Sequence, residues 1–225
     1  MKILLISATP FEITPSLEWL GKNFRTAGDR FISGSLELIP LVTGVGLVAT
    51  TYHLGRKLAS ESVDLVLQAG IAGSFRTDWK LGTVYQVISE RFGDLGTETA
   101  EQDFLDLFDL QLLESDELPY SENRLLQPDV PLSFLPQAHG ISVQKVHGSE
   151  ASIRRIREKY DPDLESMEGA ACFYVCMLEG VPFLQIRAIS NYVEPRNRDN
   201  WEIGLAIDKL NEILVGFFAS LGNGA

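Results

Sequence analysis

Short apolar runs of strand length punctuate this chain, and most are followed by a turn and a stretch of helical spacing. Ile3-Leu4-Leu5-Ile6 is a continuous apolar run halted by Thr9-Pro10. Leu36 to Val42 makes a second and breaks at Thr43-Gly44-Val45-Gly46; Val63 to Leu67 is a third, closed by Gly70-Ile71-Ala72-Gly73-Ser74; Thr83 to Ile88 is a fourth. Gly140 to Val146 and Pro182 to Ile189 complete the set. Helical spacing covers Val48 to Leu58, Glu150 to Lys159, Gly169 to Glu179 and Trp201 to Leu221. Continuous rather than alternating apolar strands predict burial on both faces. Strands alternating with helices predict an α/β fold whose mostly parallel or mixed sheet is covered on each side.

Residues 97–136 interrupt this alternation. From Glu101 to Asp129 there are nine acidic residues against Arg124 alone, so two thirds of the chain's net charge of -12 sits in one window. Leu118 to Pro136 holds four prolines and reads as an irregular excursion, a flap over a site. The acidic run reads as a solvated face and gives no clue to a substrate. At 225 residues one domain, 1–225, is expected. Hydrophobic content of 45% and charged content of 22% are ordinary for a globular protein, and the negative charge argues against nucleic-acid or anionic-membrane partners. No apolar stretch reaches the roughly 20 residues a membrane span requires, and Ile3 to Ala8 is too short for a signal peptide. Cys172 and Cys176 share a helix face without a metal-binding pattern; inert buried thiols in a reducing cytoplasm are expected. His53, His139 and His147 make no ligand spacing, so no metal is expected.

Two late stretches carry the candidate chemistry. Ser166-Met167-Glu168-Gly169-Ala170-Ala171 puts a carboxylate and a thioether where a helix begins, and Arg187-Ala188-Ile189-Ser190-Asn191 ends a strand in polar groups. The carboxyl ends of strands are where open α/β sheets usually place ligands. The two glycine turns let backbone approach a ligand closely, but neither completes a dinucleotide fingerprint or a P-loop.

With Glu12, the two glycine turns and these two stretches in this order, the chain resembles the nucleoside phosphorylase/nucleosidase family, which includes the methylthioadenosine/adenosylhomocysteine nucleosidases. The resemblance covers nearly the whole length and is weakest in the acidic excursion. Phe92-Gly93-Asp94-Leu95-Gly96 and Ser190 to Arg198 point within it to a branch whose nucleoside bears a carboxylated aromatic group beyond the ribose. It implies a three-layer α/β/α sandwich, no cofactor and commonly a homo-oligomer. It also implies roles. Glu12 matches the carboxylate that activates water, Met167 the residue packing on the ribose, and Glu168 the carboxylate that accepts from ribose hydroxyls. Asn191 falls where adenine-specific members have an Asp that protonates the purine, with Arg187 and Ser190 positioning it. Ala72, Gly73 and the Val146 backbone complete the expected substrate contacts.

Breaking an N-glycosidic bond builds positive charge on the sugar and negative charge on the purine. A fixed carboxylate beside the sugar and a base for water therefore both help. A neutral Asn amide can accept from a protonated N7 and donate to a 6-oxo group, so Asn191 predicts hypoxanthine over adenine. Gln68 and Ile71 stand where phosphorylases have an Arg and a Ser for phosphate, which favours water as nucleophile. An adenine nucleosidase and a non-catalytic nucleoside sensor remain as alternatives; Asn191 counts against the first and Glu12 against the second. For the substrate carboxylate the candidate cations are Lys145, His147, Arg196 and Arg198. Lys145 replaces the aromatic that stacks on the base in relatives, so Phe75 or Phe92 is expected to stack instead.

Overall fold

The computed structural model describes residues 1–101, 103–127 and 135–222. The first half runs β1 (Lys2–Ser7), α1 (Pro10–Asn23), β2 (Arg25–Ala27), β3 (Arg30–Ser33), β4 (Leu36–Val42), α2 (Leu47–Ser60), β5 (Leu65–Ser74), β6 (Val84–Glu90) and β7 (Gly96–Glu98). It continues with β8 (Phe104–Asp106), β9 (Tyr120–Ser121), β10 (Arg124–Leu126), β11 (Gln137–Ser142), α3 (Glu150–Tyr160), β12 (Leu164–Ser166), α4 (Gly169–Glu179), β13 (Phe183–Tyr192) and α5 (Ile203–Gly222). The expected alternation of buried strands and helices is present. The sheet is mixed: β4, β1, β5 and β13 run parallel, whereas β13 meets β6 antiparallel. β5 also pairs with β12, β12 with β11 and β11 with β6, so five strands close into a ring.

Helices cover both faces because the strands are apolar on both. Ile13 and Leu20 of α1 pack with Leu210, Leu214 and Phe218 of α5 over Leu5, Leu67 and Ile186. On the opposite face, Leu54 of α2 and Phe173 and Cys176 of α4 cover Ile6, Val66, Val87 and Ile189. Cys172 and Cys176 are both free and buried in this layer. Ile153 and Ile156 of α3 close a third cluster over Phe75, Ile141, Val143 and Val193. No helix among the described residues is long and apolar enough to cross a membrane.

Three expectations change. Gly70-Ile71-Ala72-Gly73-Ser74 is not a turn; β5 runs through it, since Gly73 and Ser74 pair with β12 on one side and β13 on the other. The strand expected over Gly140 to Val146 lies at Gln137–Ser142 instead, and the Gln144 N–H leaves the sheet to bond the Asp94 carboxylate at 2.7 Å. The described part of the acidic excursion is fastened down. β10 pairs with β6, and Asp106 accepts from the Tyr160 hydroxyl at 2.9 Å and lies 3.5 Å from Lys159. Asp106 is thus a buried structural acid in a window whose other described acidic residues are exposed. The expected flap over Leu118 to Pro136 falls partly on residues 128–134, outside the described residues.

One side chain braces the N-terminal helix across the whole chain. Asn211 on α5 accepts from the Ser16 N–H at 2.9 Å and donates to the Glu12 carbonyl at 2.9 Å. Those two groups would bond each other in an uninterrupted helix. Next to them Pro15 has no N–H to give and strains the same turn. The amide of Asn211 is buried and also bonds the Ile207 carbonyl, so each of its groups is used. Asn211→Ala leaves buried backbone groups of α1 without these partners and is expected to destabilise the fold by about 1–3 kcal/mol in urea denaturation.

Candidate active site

Glu12, Glu168 and Arg187 come from three distant parts of the sequence and meet beside Gly70. Glu12 is the third residue of α1, and its Oε2 accepts from the Thr9 N–H at 2.9 Å, the return bond of a capping box. Its Oε1 accepts from the Ile71 N–H at 3.2 Å, so the carboxylate bridges a helix start to strand β5. Glu168 is the N-cap residue of α4; its Oε1 accepts from the Gly46 N–H at 3.0 Å. Gly46 is itself the N-cap of α2 with φ of 93°, a left-handed conformation that favours glycine. Glu168 Oε2 lies 3.4 Å from Nη1 of Arg187.

Arg187 is 1% exposed, which decides the electrostatics here. A guanidinium stays charged in proteins, so its burial requires anionic company. Glu12 and Glu168 supply it. Burial pushes the Glu12 carboxyl above the ordinary carboxylate range, with Arg187 pulling the other way and Glu168 adding to the rise. Gly70 explains how the three groups fit. A Cβ there would stand 2.3 Å from Arg187 Nη1 and 2.9 Å from Glu12 Oε1. Glycine is present for close approach, not for a turn.

Asn191 lies four residues farther along β13, opposite Gly73 of β5. A Cβ on Gly73 would meet its amide nitrogen at 3.1 Å and Val193 at 3.0 Å, so this glycine too makes room for a side chain. The Ser190 hydroxyl lies 2.8 Å from Asn191 Oδ1 and 3.2 Å from the Ala72 carbonyl, and Asn191 Nδ2 donates to the Tyr192 carbonyl at 3.0 Å. The Tyr192 carbonyl fixes which end of the amide is the nitrogen. One lone pair on Oδ1 and one N–H remain.

Of the expected positions, Ala72, Gly73, Ser190 and Asn191 gather at one place, and Glu12, Glu168 and Arg187 at another. Arg187 was expected to position the purine-binding residue; its partners instead are Glu168 and the Ile71 carbonyl, because it points under Gly70. Met167 is half-buried between β12 and α4, beside Glu168. Val146 is half-buried on the wall of a cavity of about 560 Å³ that Lys145, His147 and Arg155 also line. Phe75 packs with Val146 and Val193 in the cluster under α3, and Phe92 stands edge-to-face with Tyr174. His147 pairs with Glu165, and Arg196 and Arg198 lie over the Trp201 ring at 5.2 and 5.7 Å. Lys145 is exposed at the cavity wall.

Sequence reasoning missed the supporting residues. Thr9 holds Glu12 through its backbone. Gln144 Oε1 accepts from the Leu47 N–H at 3.2 Å, next to the Glu168 bond, so two side chains share the start of α2. Glu90, fully buried beneath Gly169, had no local signal beyond being a charge at the end of an apolar strand.

The family model described as the phosphorylase superfamily matches residues 138–219. A futalosine hydrolase of Streptomyces coelicolor is 33% identical over 150 residues, 66% of this chain, and the chain spans 63% of that relative's length. A futalosine hydrolase of Thermus thermophilus is 28% identical over 224 residues, covering 97% of this chain and 96% of the relative. Among solved structures, native futalosine hydrolase of Helicobacter pylori superposes with a TM-score of 0.78 at 21% identity, covering 95% of each chain. Its likeness establishes the fold. Gly70→Ala is expected to drive Arg187 and Glu12 apart and to lower the melting temperature by several degrees, readable by calorimetry.

Proposed function

We propose that the chain is a member of the phosphorylase superfamily and that it hydrolyses the N-glycosidic bond of futalosine, releasing hypoxanthine and dehypoxanthine futalosine. The observation that carries this reading is the pairing of Glu12 and Glu168 on Arg187, with an oriented Asn191 amide farther along the same strand. Glu12 takes the proton of water as it attacks the anomeric carbon; its raised proton affinity suits a base better than an ordinary carboxylate would. Glu168 accepts from the ribose hydroxyls and, with the sugar held, favours the cationic ring of the transition state. Met167 packs on the ribose, and the Ala72–Gly73 backbone and Val146 flank the base.

The free lone pair and N–H of Asn191 match a protonated N7 and a 6-oxo group. Adenine would set donor against donor. The choice of hypoxanthine over adenine therefore rests on this amide and on the two futalosine-hydrolase relatives. Water rather than phosphate is the nucleophile. Gln68 and Ile71 offer no cation for a phosphate dianion, and the Ile71 N–H is committed to Glu12. The reaction then falls in menaquinone biosynthesis, in the cytoplasm, where the two free buried thiols stay reduced.

Assembly as a homo-oligomer fits the surface beside the site. Phe11, Val45, Val48 and Tyr52 are exposed at 65, 56, 72 and 57%, on segments brought together where Thr43 bonds the end of β1. An apolar face of this kind is suited to a second copy of the chain.

Glu12→Gln is expected to lower kcat for hypoxanthine release by at least about 100-fold with futalosine affinity retained, and near wild-type turnover would refute the base. In the wild type, kcat/KM should fall as pH drops, along a limb lying above the usual Glu range, because the base must be ionised and burial raises its pKa. Asn191→Asp should shift the ratio of kcat/KM for futalosine over aminofutalosine by at least about tenfold toward the amino compound. An unchanged ratio removes the basis for the base preference.

A further inference from the structure

Glu90 sits at the end of β6, fully buried, and plays no part in the chemistry above. Its surroundings are built around it. A Cβ on Gly169 would stand 1.9 Å from its Oε1, and one on Gly140 would stand 2.7 Å away. Gln185 Nε2 donates to Oε1 at 2.9 Å, and Oε2 lies 3.0 Å from the Ser142 hydroxyl, which can take the proton of a neutral acid and pass its own to the Ser166 hydroxyl at 3.3 Å. The same Ser142 oxygen accepts from the Ala170 N–H at 2.8 Å, so a continuous chain of bonds joins Glu90 to the first turn of α4. Glu168 is the N-cap residue of that turn, with its side chain turned to Gly46 and Arg187. Gln185 and Arg187 stand two apart on β13 and so share a face of the strand.

We propose that Glu90 is a positioning residue: as a neutral carboxylic acid it ties the start of α4 to β6 and leaves Arg187 to Glu168 and Glu12. Charge supports this. Three carboxyl groups, Glu12, Glu90 and Glu168, surround one guanidinium, and a second uncompensated anion in a buried site is costly. Among the three, Glu90 is the most buried, and that burial pushes its pKa up to about 7 despite Gln185, Arg187 and Ser142. The charged groups facing it are Arg187 from β13 and Glu168 from the α4 cap. β11 presents Gly140 and Ser142, its His139 being turned to Ser89, and β10 sets Leu125 opposite. Ionised, Glu90 competes for Arg187 and loosens its hold on Glu168.

Glu90→Gln, which mimics the neutral acid, tests this in two ways. A carboxyl whose pKa is raised by folding loses its stabilising contribution as pH rises from about 4.5 to about 7. The melting temperature of the variant should therefore gain on the wild type across that interval and level off above it; parallel melting curves overturn the proposal. The kinetic arm rests on the hydrolase reading. Wild-type kcat/KM for futalosine should fall about tenfold per pH unit above about 7, and the variant should lose less than about twofold there. An identical alkaline limb in both overturns the coupling to Arg187. Absence of base release by the wild type at every pH refutes the hydrolase reading instead, and the melting comparison still decides whether Glu90 holds the proton.

Discussion

A guanidinium that cannot lose its charge, buried at the carboxyl edge of the sheet, governs this structure. Arg187 makes demands on every element around it: a strand without a Cβ at Gly70, a helix start that delivers Glu12, and a second that delivers Glu168. Taking Glu168 away removes the salt-bridge partner of this guanidinium, and breaking a buried pair typically costs about 3–5 kcal/mol. Core and site are here the same set of contacts, so the groups suited to chemistry are also those the fold cannot easily give up.

Three helices begin at this edge, and each turns its positive end toward the site. Glu12 lies in the first turn of α1, Glu168 caps α4, and its carboxylate also receives the first N–H of the α2 cap. Helix N-termini favour negative charge. They offset part of the cost of holding carboxylates out of water and help keep them available as acceptors. The purine recognition we propose lies farther along β13, where Ser190 and the Tyr192 carbonyl hold one amide in a single orientation.

Much of this was legible in the chain because it is local. Apolar runs marked β1, β4 and β6, Gly169 to Glu179 marked α4, and Glu168 and Asn191 stood out as polar groups at element ends, whereas Glu12 was singled out only by the family resemblance. What was illegible is pairwise and distant. The glycines of β5 looked like a turn because sequence shows flexibility but not the side chain pressing against it; Arg187 and Asn191 are that side chain. Gln144 and Asn211 look like ordinary polar residues until their partners on α2 and α1 are seen. The short hairpin of β2 and β3 carries no apolar alternation, and its strands are set by register against β4.

The bond from Asn211 to the Glu12 carbonyl joins residues 199 positions apart. During synthesis, residue 12 emerges long before residue 211 is made, and domains generally fold as units once their contacts are available. A nascent chain lacking α5 has Glu12 on a helix turn interrupted by Pro15 and without its brace. The turn that carries Glu12 therefore gains its brace only once α5 is in place.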